Sequence, residues 1–170
     1  LLQLRALPDH PTRCWTAGVV LHWSPALLGI QRQPAGIKHC NRLEQVLASR
    51  GWQPDQDEAL MCDAEGRVIC GTRSNIFVVI DGVLVTPALD RSGVAGQMRE
   101  HIIDLACTRG PGCEIGTLAP DEIRHASEAF VCNSLIGIWP VRRIGGLELP
   151  APGVLTQQLS ALLDHPWAGS

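Results

Sequence analysis

Lys38 is the residue in this chain best placed to do chemistry. It stands in Gly36-Ile37-Lys38-His39-Cys40-Asn41-Arg42-Leu43-Glu44-Gln45-Val46-Leu47, at the mouth of an expected helix. An apolar, glycine-bearing approach precedes it. A lysine so placed is either a solvated surface charge or an amine aimed into a cleft. In a cleft it is a nucleophile: only a neutral amine forms an imine with an aldehyde, and burial favours the neutral form. A second candidate is Gly93-Val94-Ala95-Gly96, which reads either as an ordinary helix entry or as a seat for phosphate. Free backbone N–H groups and the helix dipole suit an anion at such a start, and glycine lets the backbone approach closely. Ser134 is either a turn serine or a hydroxyl donor to the same phosphate.

The elements that must hold these groups alternate between two periods. Ala17 to Trp23 suits a buried strand. From His39 to Arg50, Cys40, Leu43, Val46 and Leu47 fall on one helical face, with Gly51 closing the helix. Glu58 to Asp63 and Arg67 to Gly71 read as a hairpin around Ala64-Glu65-Gly66. Asn75 to Ile80 and Val83 to Thr86 flank Asp81-Gly82, the strongest hairpin signal in the chain. Val94, Met98, Ile102 and Leu105 mark a second helix, ending near Gly110. A short strand follows over Glu114 to Leu118, then a short helix over Pro120 to Ala126. Ala129 to Cys132 and Gly137 to Ile144 are expected strands, and Val154 to Leu163 an amphipathic closing helix. Hairpins interleaved with helices predict a mixed α/β domain rather than a regular βαβ series.

Composition narrows the classes. With 170 residues, 45% of them hydrophobic and 18% charged, the chain can build one domain with a sizeable core. A net charge of −3 and the lack of a basic patch speak against nucleic acid. No apolar run is long enough to predict a membrane span, and no signal peptide is evident. Seven cysteines without a CxxC pair argue against a complete disulfide framework and against zinc; they read as small hydrophobes in a reducing cytoplasm. Six scattered histidines add no metal spacing, so no metal is expected. Cys107 and Cys113 are close enough in sequence for geometry to decide whether they pair. Asp55, Asp57 and Glu58 read as a solvated acidic loop, and Trp23 and Trp139 as core.

Four segments in register carry a resemblance. The first is the Lys38 stretch. The second is Gly66-Arg67-Val68-Ile69-Cys70-Gly71-Thr72-Arg73-Ser74-Asn75-Ile76-Phe77. The third is Thr86-Pro87-Ala88-Leu89-Asp90-Arg91-Ser92-Gly93-Val94-Ala95-Gly96-Gln97-Met98-Arg99. The fourth is Phe130-Val131-Cys132-Asn133-Ser134-Leu135 with Ile138-Trp139-Pro140-Val141. From about Gly18 onward they resemble the 4-amino-4-deoxychorismate lyases, within the branched-chain and D-amino-acid aminotransferase-like enzymes of fold type IV. The resemblance implies an α/β fold: a mixed sheet or pseudo-barrel with helices, the large C-terminal domain of those enzymes, here over 15–170. Residues 1–14 would then be a linker or the remnant of an N-terminal domain. It implies pyridoxal 5'-phosphate as cofactor and Lys38 as the catalytic, Schiff-base lysine. Cys70, Ser74, Asn75, Val94, Ala95, Asn133 and Ser134 would complete the cofactor site. The implied reaction converts 4-amino-4-deoxychorismate to 4-aminobenzoate and pyruvate, in folate synthesis, by a cytoplasmic homodimer. The Asn41-Arg42-Leu43-Glu44-Gln45 run resembles the lyases rather than the aminotransferases. A class IV aminotransferase, or a non-catalytic domain of the same fold, is the alternative. Arg73, close to the cofactor strand, reads either as a surface arginine or as a partner for a substrate carboxylate.

Three departures bear on activity. Cys70 stands where the family carries a glutamate that pairs with the cofactor's pyridine nitrogen, and a thiol is no substitute anion unless activated. Transamination should suffer most, whereas an elimination driven by aromatisation depends less on that pair. Leu27 stands where the lyases show an arginine. The family's smaller N-terminal domain, which supplies further phosphate and substrate contacts, is expected to be missing, leaving this chain about half of a site.

Overall fold

The computed structural model describes residues 3, 4, 6 and 8–166. Residues 1, 2, 5, 7 and 167–170, included in the two expected segments, lie outside it. In chain order the described elements are α1 Arg13–Thr16, β1 Val19–Trp23, α2 Leu43–Ala48, β2 Glu58–Cys62, β3 Val68–Gly71, β4 Asn75–Ile80, β5 Val83–Pro87, α3 Gln97–Arg109, β6 Glu114–Gly116, α4 Pro120–Ile123, β7 Ala126–Asn133, β8 Gly137–Ile144, β9 Leu147–Glu148 and α5 Val154–Leu162. One mixed sheet runs β3-β2-β1-β8-β7-β4-β5-β6, with β9 paired to β8. β1 lies parallel to both β2 and β8, while β7 is antiparallel to β4 and β8. The fold is the α/β curled half-barrel expected from the sequence.

β4 shows why the sheet holds. Its residues are buried on both faces, so its side chains divide by alternation. Phe77 and Val79 join one apolar cluster with Ile102 and Leu105 of α3 and Leu159 of α5. Ile76 and Val78 face another, with Leu21, Leu60, Val131 and Trp139. Phe77 and Phe130 stack with centroids 4.8 Å apart across the β4–β7 ladder. Burying each such ring stabilises the fold by about 1.5–3 kcal/mol. The β4–β5 turn takes the predicted form: Asp81 and Gly82 have φ of 51° and 80°, the left-handed pair of a tight two-residue hairpin.

Two expectations are corrected here. The helix predicted over His39 to Arg50 covers only Leu43–Ala48, because the preceding segment is drawn into a strand-like contact with residues 93–95. Its predicted apolar face is not core: Leu43, Val46 and Leu47 are exposed, and only Ala48 is buried. The acidic loop is solvated only in part: Asp55 is exposed, Asp57 half-buried and Glu58 buried. Glu58 is 1% exposed, Asp57 accepts from the Val20 N–H at 2.9 Å and pairs with Arg13, and Asp55 pairs with Arg143. Near the start of the chain, His10 meets Trp139 edge-on at 4.7 Å and Cys14 is buried. Trp139 lies in the core, as expected, whereas Trp23 is half-buried at its edge. No described helix is long and apolar enough to cross a membrane. The seven cysteines are free thiols, Cys107 and Cys113 included.

Candidate active site

Four chain segments converge on one cleft at the edge of the half-barrel. The approach to Lys38 is zipped to the loop before α3: the Gly36 N–H donates to Gly93 O at 3.1 Å, and the Ala95 N–H to Gly36 O at 2.9 Å. Gly93 has φ +86°, and a Cβ there would press on Ile69 and Leu89 at 2.7 and 2.8 Å. Only glycine fits that corner. The β3–β4 turn, Thr72 to Ser74, forms the floor, and the β7–β8 turn, Asn133 to Leu135, the far rim. Together they enclose a cavity of about 610 Å³, lined by Lys38, Arg42, Cys70, Ser74, Asn75, Val94, Ala95, Gln97, Asn133 and Ser134, among others. The structure thus brings all eight sequence-predicted site residues to one cavity.

Their side chains do not share one task. Asn75 donates to Val94 O at 2.9 Å and so ties the start of β4 to the loop before α3. Asn133 donates to Arg73 O at 3.1 Å and accepts the Leu135 and Ile136 N–H groups, fixing the rim. The Ser74 hydroxyl donates to Glu58 at 3.0 Å. These three polar side chains build the walls. Ala95 gives its N–H to Gly36, so the groups left to meet an anion come later, at Gly96 and Gln97, where the first N–H groups of α3 lack helical partners. The Ser134 side chain is exposed at the rim. Lys38 lines the cavity but is exposed, so the burial assumed from the sequence is not provided among the described residues.

Beneath the floor lies a group the sequence reading set aside. Glu58 begins β2, and its carboxylate accepts the Thr72 N–H at 3.0 Å, the Thr72 hydroxyl at 2.5 Å and the Ser74 hydroxyl at 3.0 Å. Arg73 approaches it at 3.8 Å, donates to Asp57 O, and lies over the Trp52 ring at 5.6 Å. The Ala-Leu-Met run after Glu58 was the available signal, since a strand buried on both faces carries its first residue inward as well. Arg42 was also missed as a site residue. It lines the cavity and donates to Thr72 O. Leu27 lines neither this cavity nor its neighbour.

Cys70 is 6% exposed, packed with Leu28, Met61 and Ile69. Burial pushes its thiol up to about 12, with the Glu58 carboxylate adding and Arg42 opposing. It therefore presents a neutral thiol at neutral pH. Burial also raises Cys132, and lifts Cys113 to about 11. Below the ordinary value of 9.0, folded and unfolded chains hold the same thiol protons. Above it only the unfolded chain ionises, so these thiols favour unfolding progressively between pH 9 and about 12. The melting temperature is expected to fall from pH 9 upward. At pH 8, iodoacetamide followed by mass spectrometry is expected to label exposed Cys40 and Cys107 first, and Cys70 and Cys132 only on unfolding.

The donor set fits a phosphorylated aldehyde at two ends. An amine stands at one side, and a helix start with a hydroxyl at the other; Lys38, Arg42 and Arg73 line the cavity with no carboxylate among them. At Cys70 it offers no anion.

The chain is similar to known proteins over most of its length. The family model for amino-transferase class IV matches residues 4–144. An aminodeoxychorismate lyase of Vibrio harveyi is 34% identical over 164 residues, which are 94% of this chain and 60% of that protein. The crystal structure of 4-amino-4-deoxychorismate lyase from Pseudomonas aeruginosa is 43% identical, with a TM-score of 0.88 over 92% of this chain and 58% of that one. The branched-chain amino acid aminotransferase from Escherichia coli is 27% identical, with a TM-score of 0.75 over 85% of this chain and 50% of that one. The chain thus spans about 60% of the length of the lyases it matches.

Proposed function

Since the chain belongs to the amino-transferase class IV family, whose members depend on pyridoxal 5'-phosphate, we propose that it is the cofactor-holding part of a 4-amino-4-deoxychorismate lyase. The reaction would yield 4-aminobenzoate and pyruvate. The observation that carries this reading is the likeness to two lyases over most of the chain. The reading includes a homodimer, a cytoplasmic location and a step in folate synthesis, with the cleft's outer wall supplied from beyond this chain.

Lys38 would hold the cofactor covalently. The N–H groups at Gly96 and Gln97 and the Ser134 hydroxyl would receive its phosphate. Bound there, pyridoxal phosphate supplies an aldehyde for amine capture and a ring that draws electrons from the substrate's carbon. Released by the substrate amine, Lys38 would take the α-carbon proton and assist departure of pyruvate as the six-membered ring becomes aromatic. Cys70 would contribute no negative charge toward the ring. That neutrality favours a second reading, a non-catalytic domain of the same fold.

Incubation of the purified protein with 4-amino-4-deoxychorismate tests the proposal. Equimolar 4-aminobenzoate and pyruvate, with no amino transfer from D-alanine or branched-chain amino acids, is the expected result. Amino transfer without aminobenzoate would make it an aminotransferase, and neither product would support the non-catalytic reading. In the active protein, Cys70→Glu is expected to raise turnover about tenfold or more, because a fixed charge would then face the cofactor. Unchanged turnover would mean that the position does not govern the chemistry.

A further inference from the structure

A second cavity, of about 420 Å³, adjoins the first and shares Arg42, Cys70 and Val94 with it. Its lining includes Gln45 and Ser92. Two polar atoms there lack a hydrogen-bond partner while being buried: the Ser92 hydroxyl, on a residue 6% exposed, and Gln45 Oε1. A buried hydroxyl without a partner costs about 1–3 kcal/mol, so it marks a place where a ligand would restore the missing bond.

The charges around the cleft single out one cation. Lys38 is assigned to the cofactor in the reading above. Arg73 is compensated by Glu58, held by Asp57 O and stacked on Trp52. Arg42 is held in place by Thr72 O yet forms no ion pair with any described carboxylate. Glu44, its neighbour in the smaller cavity, is instead turned to the Gly29 N–H at 2.9 Å. Arg42 is thus a positioned guanidinium with donors to spare, lining both cavities and sharing the smaller one with an unmet hydroxyl. That combination matches a carboxylate, which accepts two guanidinium N–H groups and one O–H.

We propose that Arg42 and Ser92 form a carboxylate-binding subsite in the smaller cavity, and that it anchors an acid group of the substrate while Lys38 meets its amine. This rests on the lyase reading for the identity of the substrate but not for the binding itself. An anchor of this kind favours a substrate with a carboxylate on its ring over a simple amino acid.

The test is calorimetric titration of the protein with benzoate and with benzamide, its neutral analogue, with and without pyridoxal phosphate. Benzoate is expected to bind at least about tenfold tighter than benzamide, the scale of one charge-assisted contact. Arg42→Gln should abolish the difference, Arg42→Lys should restore part of it, and Ser92→Ala should reduce it. Equal binding of the two probes by the unmodified protein would overturn the subsite whether or not the variants fold. So would benzoate binding unchanged in a folded Arg42→Gln variant. Retention of pyridoxal phosphate on Lys38 is read separately by absorbance, so loss of the cofactor reading and loss of the subsite give different results.

Discussion

Glu58→Ala is expected to destabilise the protein by about 3–5 kcal/mol, the cost of removing one partner from a buried charged network. Three donors from the cleft floor converge on this carboxylate, the Thr72 N–H, the Thr72 hydroxyl and the Ser74 hydroxyl, and the Ala59 N–H adds a fourth at 2.9 Å. Thr72 and Ser74 are buried as well, so their donors depend on this carboxylate. Gly71 leaves room for this arrangement: a Cβ there would run into Ser74 and Glu58. Urea denaturation of the variant would show the loss, with a fall in melting temperature of about 10 °C. Glu58→Gln keeps the shape but faces donors with an NH₂ group, so it should recover only part of the stability. A Glu58→Ala protein as stable as the parent would mean that the floor is held by its strands alone.

Glu128→Ala should cost about 2–3 kcal/mol, because it strips a helix end of its acceptors. The Glu128 carboxylate, on β7, accepts the Leu155 N–H at 3.0 Å and the Thr156 N–H and hydroxyl at 2.9 Å. These are first-turn donors of α5, which has no cap from its own chain neighbour, Gly153. The negative charge also meets the positive end of the helix dipole. Gly153 packs so closely on Glu128 that any side chain there would displace it. Since α5 covers the Phe77–Phe130 cluster through Leu159, hydrogen exchange should show α5 opening first in the variant, ahead of β4 and β7.

Legibility from the sequence followed the range of the forces. The Asp81-Gly82 hairpin was readable because two adjacent residues set its backbone. The strands of β4 and β8 were readable because burial on both faces leaves long apolar runs. The Lys38 segment was not, because its helical spacing is overridden by hydrogen bonds to residues 93–95, more than fifty positions away. The burial of Glu58 could have been read from the Ala-Leu-Met run that follows it, but its partners could not: nothing local says that Thr72 and Ser74 will arrive above it. The eight predicted site residues do meet in one cavity. Whether a side chain faces the cavity or holds its wall depended on partners that spacing does not reveal, as Asn75 and Asn133 show. Arg42 lay unremarked within a quoted motif, since its value comes from the absence of a described acidic partner.

We propose that Lys38 holds pyridoxal phosphate in the larger cavity. The most direct test is the visible absorption spectrum of the protein after incubation with the cofactor and dialysis, beside Lys38→Ala. Borohydride reduction and peptide mass mapping then follow. A retained visible band in the parent, none in Lys38→Ala, and the reduced adduct on the peptide containing Lys38 are expected. A band that persists in Lys38→Ala, an adduct on another residue, or no retained band in the folded parent would contradict the proposal.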